Sequence, residues 1–340
     1  MKRPVPPIWA DEPVTIITPA WNARDYVVET VLSVVSQIQA GDEYIVVDDG
    51  STDGSAEILD HLAQRHNFIL IRQKNAGEIE AVNAAVARAK HDLICIVNAD
   101  DPILPGLVTT MRNVFATDPE LAAAYPDWRK IDADGREIST VQAAEYEYAV
   151  MLAQHFCIPG PGAFFRRRVI SGAPVRDPAA YGVSDYDFWL RFGRSGARIQ
   201  RVPKVLATWR LHAASTTFSA NGTSLATAKI AVVERFFARV DLDPRLRALN
   251  RQALSAAFYH AALLGLRMKG VPAWRYAVRS FAILPIWPRT VLKTQRRSRK
   301  HLLYAAAQPL SGAFHRLVDP LLPARYRHVR VISQTFGLDV

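Results

Sequence analysis

The feature that most constrains the fold is a pair of apolar runs that each end in carboxylates. Tyr44–Val47 leads directly into Asp48-Asp49, and Leu93–Val97 leads into Asn98-Ala99-Asp100-Asp101. Both runs have the length of a β-strand, and ligands of open α/β sheets bind beyond the carboxyl ends of the strands. Both acidic clusters are therefore expected to face one crevice, where they suit a hydroxyl-rich ligand or a metal-bridged diphosphate.

Strand-length and helix-length segments alternate through the first part of the chain. Strands are predicted at Val14–Thr18, Tyr44–Val47, Phe68–Arg72 and Leu93–Val97, with helices at Asp25–Gln39, 55–65 and Ile79–Ala89. This alternation is typical of right-handed βαβ units. The sequence therefore predicts an α/β fold with a Rossmann-like, mostly parallel sheet flanked by helices.

The later part of the chain follows a different pattern. Two short strands are predicted at 197–203 and 205–211, and the chain is predicted to be helical from about Thr223, with a helical hairpin at 257–270 and 272–285. A chain of 340 residues is long for one compact domain. We expect an α/β domain at 1–220 and a basic helical region at 221–340.

Positive charge is concentrated towards the C-terminus. Residues 244–318 contain 14 Lys and Arg and no Asp or Glu, whereas the rest of the chain holds 28 basic and 32 acidic residues. Trp274, Trp287 and Tyr304 stand among these arginines. A segment of this kind suits anionic lipid headgroups, where each basic residue contributes about 1 kcal/mol. Nucleic acid is a less favoured partner, and a solvated or oligomer-forming surface is the third interpretation.

Cysteine use and hydropathy bear on the compartment. Cys95 and Cys157 have no CxxC or Cys/His spacing, so neither a disulfide framework nor a zinc site is predicted. The N-terminal stretch lacks the apolar core of a signal peptide, and no stretch reaches the roughly 18 apolar residues of a spanning helix. We expect a cytoplasmic protein, with peripheral association at the inner membrane face through the basic region.

Five segments carry a recognisable pattern in their order and approximate spacing. They are Thr15–Asn22, Asp48–Asp53, Lys74–Gly77, Asn98–Asp101 and Ser184–Arg191. Together they resemble glycosyltransferase family 2, over about residues 12 to 215. The resemblance implies a GT-A fold, a catalytic domain at 1–220, a nucleotide-diphosphate sugar donor, a divalent metal ion (Mn²⁺ or Mg²⁺) and inverting transfer.

The resemblance implies a metal site at the second acidic cluster. Asp100 is the expected metal ligand, because a cation held by a carboxylate can neutralise a departing diphosphate as a Lewis acid. Asp101 is expected behind it or on the donor ribose. Asn98 stands where the family commonly has Asp, so weaker metal affinity or a water-mediated contact is expected.

The resemblance also implies a nucleotide-sugar pocket. Asp48 and Asp49 are expected to accept hydrogen bonds from the base and the ribose, although turn formation and helix capping are the structural alternative. The remaining expected pocket residues come from the first strand and from the segment after the third: Thr18, Pro19, Trp21, Lys74, Glu80 and Asn83. Glu80 also lies in a predicted first helical turn, where the helix dipole alone favours carboxylates.

Asp185 is the expected general base. Inverting transfer needs one carboxylate to take the proton of the attacking acceptor hydroxyl. The family often has Glu-Asp where this chain has Ser184-Asp185, and the catalytic position is the second. The structural alternative is a helix N-cap, which contributes about 1 kcal/mol. Tyr186 is a candidate for stacking on an acceptor ring, while Trp189 is expected in the helix core.

Two further clusters are basic. Arg210 and His212 follow the last predicted strand, where relatives often place an aromatic-Arg-x-His turn near the diphosphate. Arg210 is expected to bind the nucleotide sugar and His212 the metal. Arg166–Arg168 is most simply a solvent-facing charged run, with a role on the acceptor side as the alternative.

The expected function is transfer of a sugar, from a UDP-like donor, onto a hydroxyl of a glycan or lipid-linked acceptor in polysaccharide biosynthesis. A nucleotidyltransferase is the first alternative, but Pro19-Ala20-Trp21-Asn22 contains no glycine for a phosphate loop. A non-catalytic nucleotide-binding or membrane-associated scaffold is the second, and Asn98 is the feature that favours it. The sequence leaves the sugar, the linkage and the oligomeric state open.

Overall fold

One mixed sheet organises the first of the two units into which the chain divides, Met1–Asn221 and Gly222–Val340. The computed structural model describes residues 12–170, 172–213, 222–268 and 271–285. Within these residues the sheet has eight strands. They are β1 Val14–Ala20, β2 Glu43–Asp48, β3 Ile69–Arg72, β4 Leu93–Ile96, β5 Leu121–Ile131, β6 Glu137–Val141, β7 Phe164–Arg166 and β8 Arg198–Arg210.

The strand order is β3-β2-β1-β4-β7-β5-β6, and β8 pairs with β5. The first four strands pair in parallel, β7 is antiparallel to both β4 and β5, and β8 is parallel to β5. The carboxyl ends of β1, β2, β4, β5 and β8 therefore lie at one edge of the sheet. The predicted α/β sheet with a mostly parallel core is confirmed.

Helices flank the sheet, and the first three of them lie where the sequence predicts helices. They are α1 Val27–Val35, α2 Ser55–His66, α3 Glu78–Arg88, α4 Leu107–Thr117, α5 Tyr148–Gln154 and α6 Ser184–Arg194. Val27, Val31 and Val34 of α1 are fully buried in one cluster with the strands β1, β2 and β4. Each fully buried side chain of this size contributes about 1.5–3 kcal/mol. Leu32 of the same helix is 40% exposed, because it lies on a different side of the helix from these valines.

β8 is one continuous strand, so the prediction of two short strands at 197–203 and 205–211 is wrong. Proline lacks a backbone N–H and normally interrupts a sheet ladder, which is why Pro203 suggested a break. The ladder instead shifts register at this point, with Val202 opposite Pro126 and Val205 opposite Asp127. The two extra residues of β8 form a bulge that accommodates the proline.

The described part of the second unit is helical. It contains α7 Gly222–Phe237, α8 Pro244–Arg247, α9 Asn250–Arg267 and α10 Ala273–Ile283. α9 and α10 pack through small side chains, and Ser255 and Ser280 each donate a hydroxyl hydrogen bond to the other's carbonyl at 2.8 and 2.7 Å. The predicted helical hairpin is confirmed, with shifted bounds. Trp287 and Tyr304 of the basic region lie outside the described residues.

No helix in the described part of the chain combines the length and the apolar character needed to cross a bilayer.

Candidate active site

Asp48 and Asp49 stand at the end of β2, and both are buried. The Asp49 carboxylate accepts three hydrogen bonds: at Oδ1 from Gln73 Nε2 and the Ala76 amide, both 2.8 Å, and at Oδ2 from the Gly77 amide, 2.7 Å. Hydrogen bonds to a charged acceptor are about twice as strong as neutral ones. Asp49 therefore fastens the turn 73–77 to the carboxyl edge of the sheet.

Gly50 allows this turn to approach the strand end. Its φ is +70°, and a Cβ at this position would lie 2.7 Å from the Asn75 amide nitrogen. The left-handed conformation and the close approach both favour glycine. Asp48 Oδ1 in turn accepts a hydrogen bond from the Ser51 amide at 3.2 Å. The pair expected to recognise the nucleoside thus also builds the local backbone.

β1 places its three predicted pocket residues differently. Thr18 is fully buried, and its hydroxyl lies 3.1 Å from the Tyr44 hydroxyl inside the sheet. Thr18 therefore does not line an open pocket, and Pro19 is buried beside it. Trp21, just beyond the strand, is 57% exposed. Of the three, Trp21 presents its side chain to an incoming ligand.

Asp101 lies beneath the second acidic cluster. It is 5% exposed and accepts hydrogen bonds from the Arg210 amide at 2.7 Å and from Asn98 Nδ2 at 3.0 Å. Burial, together with the neighbouring Asp100 charge, raises the pKa of Asp101 to about 8. The hydrogen bond from the Asn98 amide favours the ionised form of Asp101 and so opposes this shift, whereas an aspartate at position 98 would add a third acidic side chain to the cluster.

Arg210 is the largest fully buried side chain in the described part of the protein. Its Nε donates to the Asp100 carbonyl at 2.8 Å, Nη1 to the Ala133 carbonyl at 3.1 Å and Nη2 to Glu29 Oε2 at 2.6 Å. The Tyr26 ring lies 4.9 Å from the guanidinium carbon. The predicted contact between Arg210 and the nucleotide sugar does not fit this geometry, because every guanidinium nitrogen donates to a protein acceptor. Arg210 instead joins the end of β8 to the Asp100 loop.

Asp100 and His212 form the candidate cation site. His212 Nε2 lies 2.8 Å from Asp100 Oδ2, and the two side chains are 10% and 25% exposed. Mg²⁺ is commonly held by one or two protein carboxylates together with substrate phosphates, and imidazole is a ligand for transition metals. Among the described residues, no cluster of three or more His, Cys, Asp or Glu side chains could hold a metal alone. The pair therefore fits a cation that is shared with a bound diphosphate.

Asn83 connects α3 to a distant segment. Its Nδ2 donates to the Arg176 carbonyl at 2.7 Å, and its Oδ1 accepts from the Arg176 amide at 3.0 Å. From α6, Arg191 donates to the carbonyls of Pro174 and Val175 at 2.9 and 3.0 Å. The predicted donor contact by Asn83 does not fit this arrangement, because its amide is occupied by backbone groups. Residues 174–176 are instead fixed to both helices.

Lys74 and Glu80 flank the Asp49-held turn and are exposed. Their side chains are therefore free to approach a ligand at this edge, which is compatible with the donor contacts expected of them.

Asp185 is exposed in the first turn of α6. The helix begins at Ser184, its N-cap residue is Val183, and Asp185 Oδ1 accepts a hydrogen bond from the Tyr186 amide at 2.7 Å. The structural alternative of an N-cap is therefore wrong for Asp185. α6 leads directly into the amino end of β8.

Several aromatic side chains that follow Asp185 in α6 are buried and pack against the rest of the domain. Tyr186 is 4% exposed, its ring centroid lies 4.3 Å from that of His155, and burial raises its pKa well above the usual value. The expected stacking of Tyr186 on an acceptor ring is therefore wrong. Trp189, as predicted for a core residue, packs around Phe165 of β7 together with Phe192.

The three consecutive arginines lie at the opposite edge of the sheet. Arg166 is opposite Leu93, at the amino end of β4, and contacts Glu12 through two hydrogen bonds of 2.6 and 3.0 Å. Arg167 donates to the Ala89 carbonyl at 2.8 Å, just beyond α3. An acceptor-side role for these residues is wrong, because β7 runs antiparallel and carries them away from the site. Arg166 is also buried, contrary to a solvent-facing run.

Sequence comparison places these features in a family. The family described as glycosyl transferase family 2 matches residues 15–172. A chondroitin synthase of Escherichia coli is 29% identical over 209 residues, which make up 60% of this chain and 29% of that protein. The chain spans less than a third of the length of the chondroitin and hyaluronan synthases that it matches.

Solved structures share the fold. Residues 1–349 of S. aureus TarS, in complex with UDP-GlcNAc, match with a TM-score of 0.63 at 17% identity, over 87% of this chain and 88% of that one. The mannosyltransferase PcManGT from Pyrobaculum calidifontis, in complex with GDP-Man and Mn²⁺, matches with a TM-score of 0.52 at 20% identity, over 90% and 87%. The likeness confirms the predicted GT-A fold. Residues 15–172 of the chain form a glycosyl transferase family 2 domain.

Proposed function

We propose that the protein is an inverting glycosyltransferase that moves a sugar from a nucleotide-diphosphate donor to a hydroxyl of a glycan or lipid-linked acceptor. The observation that carries the proposal is the Asp100–His212 pair at the carboxyl edge of the sheet, where two potential cation ligands meet at 2.8 Å. The family membership supports the reaction class.

The donor is proposed to be a UDP-sugar. TarS binds UDP-GlcNAc and PcManGT binds GDP-Man, and TarS has the higher TM-score of the two. The nucleoside would lie at the end of β2, near Asp48 and the turn held by Asp49, with Trp21 exposed beside it. Carboxylates there can accept hydrogen bonds from a base imide and from ribose hydroxyls.

The proposed chemistry divides between two regions of the site. Asp185 takes the proton from the acceptor hydroxyl while that oxygen attacks the anomeric carbon, and the bond from that carbon to the diphosphate oxygen breaks. Asp100 and His212 would hold Mn²⁺ or Mg²⁺, which when bound supplies positive charge to the leaving diphosphate. Arg210 and Asp101 act on this step indirectly, since they fix the loop that carries Asp100.

The basic C-terminal region is proposed to hold the enzyme on an anionic membrane surface, where lipid-linked acceptors would be within reach. In its described part, α10 exposes Trp274 and Val278, which are 36% and 43% exposed and lie one helical turn apart. Arg275 and Arg279 form a neighbouring exposed row. A face that combines an indole, an aliphatic side chain and arginines is suited to the bilayer interface.

The central test is donor turnover by the purified full-length chain. A panel of UDP- and GDP-sugars, with and without Mn²⁺, is assayed for released nucleoside diphosphate, and Asp185→Asn and Asp100→Asn are assayed in parallel. We expect metal-dependent release from one donor that both substitutions abolish. If wild-type protein binds neither UDP nor GDP in a calorimetric titration, the glycosyltransferase proposal is wrong and a scaffold role replaces it.

A further inference from the structure

Arg176 is a largely buried arginine whose acidic partner, Glu78, is distant. Its side chain is 11% exposed, and its Nε is buried without a hydrogen-bond partner. Its Nη2 lies 3.9 Å from Glu78 Oε1, which is beyond hydrogen-bond distance. The guanidinium therefore retains donors that no protein acceptor satisfies at close range.

A largely buried guanidinium without close acceptors destabilises the folded protein unless a ligand supplies those acceptors. Burying an arginine without close acceptors loses the hydration of the charge and gains little in return. Charged side chains are seldom buried without a partner. The planar guanidinium is also the side chain whose donor geometry best matches the oxygens of phosphate. The missing partner of Arg176 is accordingly an anion that carries several acceptor oxygens.

The position of Arg176 narrows the identity of that anion. Glu78, its distant partner, begins α3 directly after Gly77, and Gly77 is held by Asp49 at the end of β2. The guanidinium thus lies beside the turn next to the proposed nucleoside site. The segment that carries Arg176 is also joined to α6, whose first turn carries Asp185. In a nucleotide sugar, the group that connects the nucleoside to the reacting sugar is the diphosphate.

We propose that Arg176 binds the diphosphate of the donor, an inference that rests on the proposed glycosyltransferase function. In the absence of donor, Glu78 serves as a distant counter-ion, and its side chain is 42% exposed. Donor oxygens then replace Glu78 as the close partner of the guanidinium. Glu78 therefore competes with the donor, which makes its removal a second, independent test of the idea.

The side chain of Arg176 can be substituted without removing the hydrogen bonds that hold its backbone. Asn83 holds the amide and the carbonyl of Arg176, so substitution of the guanidinium leaves both hydrogen bonds available. Arg176→Gln is the test variant. Arg88→Gln is the matched control, because Arg88 is an exposed arginine at the far end of α3 from Glu78. Thermal denaturation of each full-length variant checks that the fold is retained.

Isothermal titration with UDP and with uridine, or with GDP and guanosine if wild type prefers guanine, measures the diphosphate contribution. We expect Arg176→Gln to weaken diphosphate binding about tenfold or more, while nucleoside binding stays within about twofold of wild type. Glu78→Gln should strengthen diphosphate binding, and Arg88→Gln should change neither affinity.

The possible results separate this inference from the function on which it rests. Equal UDP affinity in wild type and Arg176→Gln overturns the inference and leaves the glycosyltransferase proposal intact. A loss of UDP and uridine binding to the same extent also overturns it, since the effect would then be general. If wild type binds neither nucleoside diphosphate, both proposals fail together.

Discussion

Glu29 Oε2 lies 2.6 Å from Arg210 Nη2 and joins α1 to the end of β8. The two partners differ in environment: the Arg210 side chain is 1% exposed and that of Glu29 is 58% exposed. The hydrogen bonds of Arg210 to the Asp100 and Ala133 carbonyls are made in the interior, whereas its acidic partner reaches solvent. The Arg210 guanidinium therefore connects three chain segments: the Asp100 loop, the turn at Ala133 and helix α1.

Arg210→Lys is expected to separate positioning from charge. Lysine keeps the positive charge but cannot reach three acceptors in the fixed geometry of a guanidinium, and acceptors buried without donors cost about 1–3 kcal/mol each. We expect a clear loss of unfolding free energy in urea and a higher Mn²⁺ requirement for activity. Glu29→Gln, which keeps an oxygen acceptor, is the milder control. A lysine variant as stable as wild type would contradict this account.

Asp185→Asn is expected to lower kcat by about 10²–10⁴, because the variant lacks the base that takes the acceptor proton. Its affinity for the nucleotide should not change. Asp187→Asn is the matched control on the same helix: Asp187 is buried and lies 2.7 Å from Arg191 Nε, so this change should lower stability without removing the base. Equal kcat in wild type and Asp185→Asn would show that another group accepts the proton.

Asn98→Asp is expected to make stability depend on metal. The substitution removes the Asn98 donor to Asp101 Oδ2 and adds another acidic side chain to the cluster that already holds Asp100, and like charges at close range destabilise each other. Without metal the melting temperature should fall. With Mn²⁺ and UDP present, most of the loss should be recovered, since the added acid gains a cationic partner. A variant insensitive to Mn²⁺ would argue against a cation site at this cluster.

Gly50→Ala is expected to be strongly destabilising and to weaken nucleotide binding. The new Cβ would meet the Asn75 amide nitrogen at 2.7 Å and would have to adopt a φ of +70°. Gly41→Ala separates the two effects, because Gly41 has a φ of +98° but no atom within 4 Å of the added Cβ. The control should show only the conformational cost, about 1 kcal/mol. Equal losses in chemical denaturation would mean that the close approach is unimportant.

Charge reversal on α10 tests the membrane surface. The full-length double variant Arg275→Glu, Arg279→Glu should lose cosedimentation with vesicles of phosphatidylcholine and phosphatidylglycerol, and Trp274→Ala should weaken it. Neutral phosphatidylcholine vesicles are the lipid control. Arg136→Glu, at an exposed position in the hairpin of β5 and β6, controls for net charge. Undiminished sedimentation of the double variant would exclude this face of α10 as the docking surface.

The sequence was sufficient for the parallel core of the sheet and for the edge at which the two acidic clusters lie. Apolar runs marked the strands of the parallel core, and the residues after β2 and β4 indicated where their acids would gather. Local patterns report local structure well because strand burial and helix periodicity are properties of neighbouring residues. For the same reason Pro203 misled the prediction of β8, since the bulge that accommodates it depends on pairing with Pro126 and Asp127.

The partners of the polar side chains required the structure. Asn83 and Arg176 are separated by 93 residues, and Arg210 and Glu29 by 181. No periodicity connects such pairs, so Asn83 and Arg210 were predicted to face a ligand, whereas their polar groups bind other parts of the protein. In the sequence, Arg176 is distinguished by its position shortly before the Ser184–Arg191 motif. That position alone does not predict that its guanidinium is largely buried.

The two hydrogen bonds between the Asn83 side chain and the Arg176 backbone allow the chain between these residues to vary in length. The Asn83 amide pairs with the backbone N–H and C=O of Arg176, as a neighbouring strand would, and this pairing closes a loop of 93 residues. The entropy of closing a loop grows only with the logarithm of its length, so doubling the loop would cost about 0.6 kcal/mol. Residues can therefore be inserted into exposed connections within that loop that make no contact with Arg210, while Arg176 and the segment that carries it keep their place.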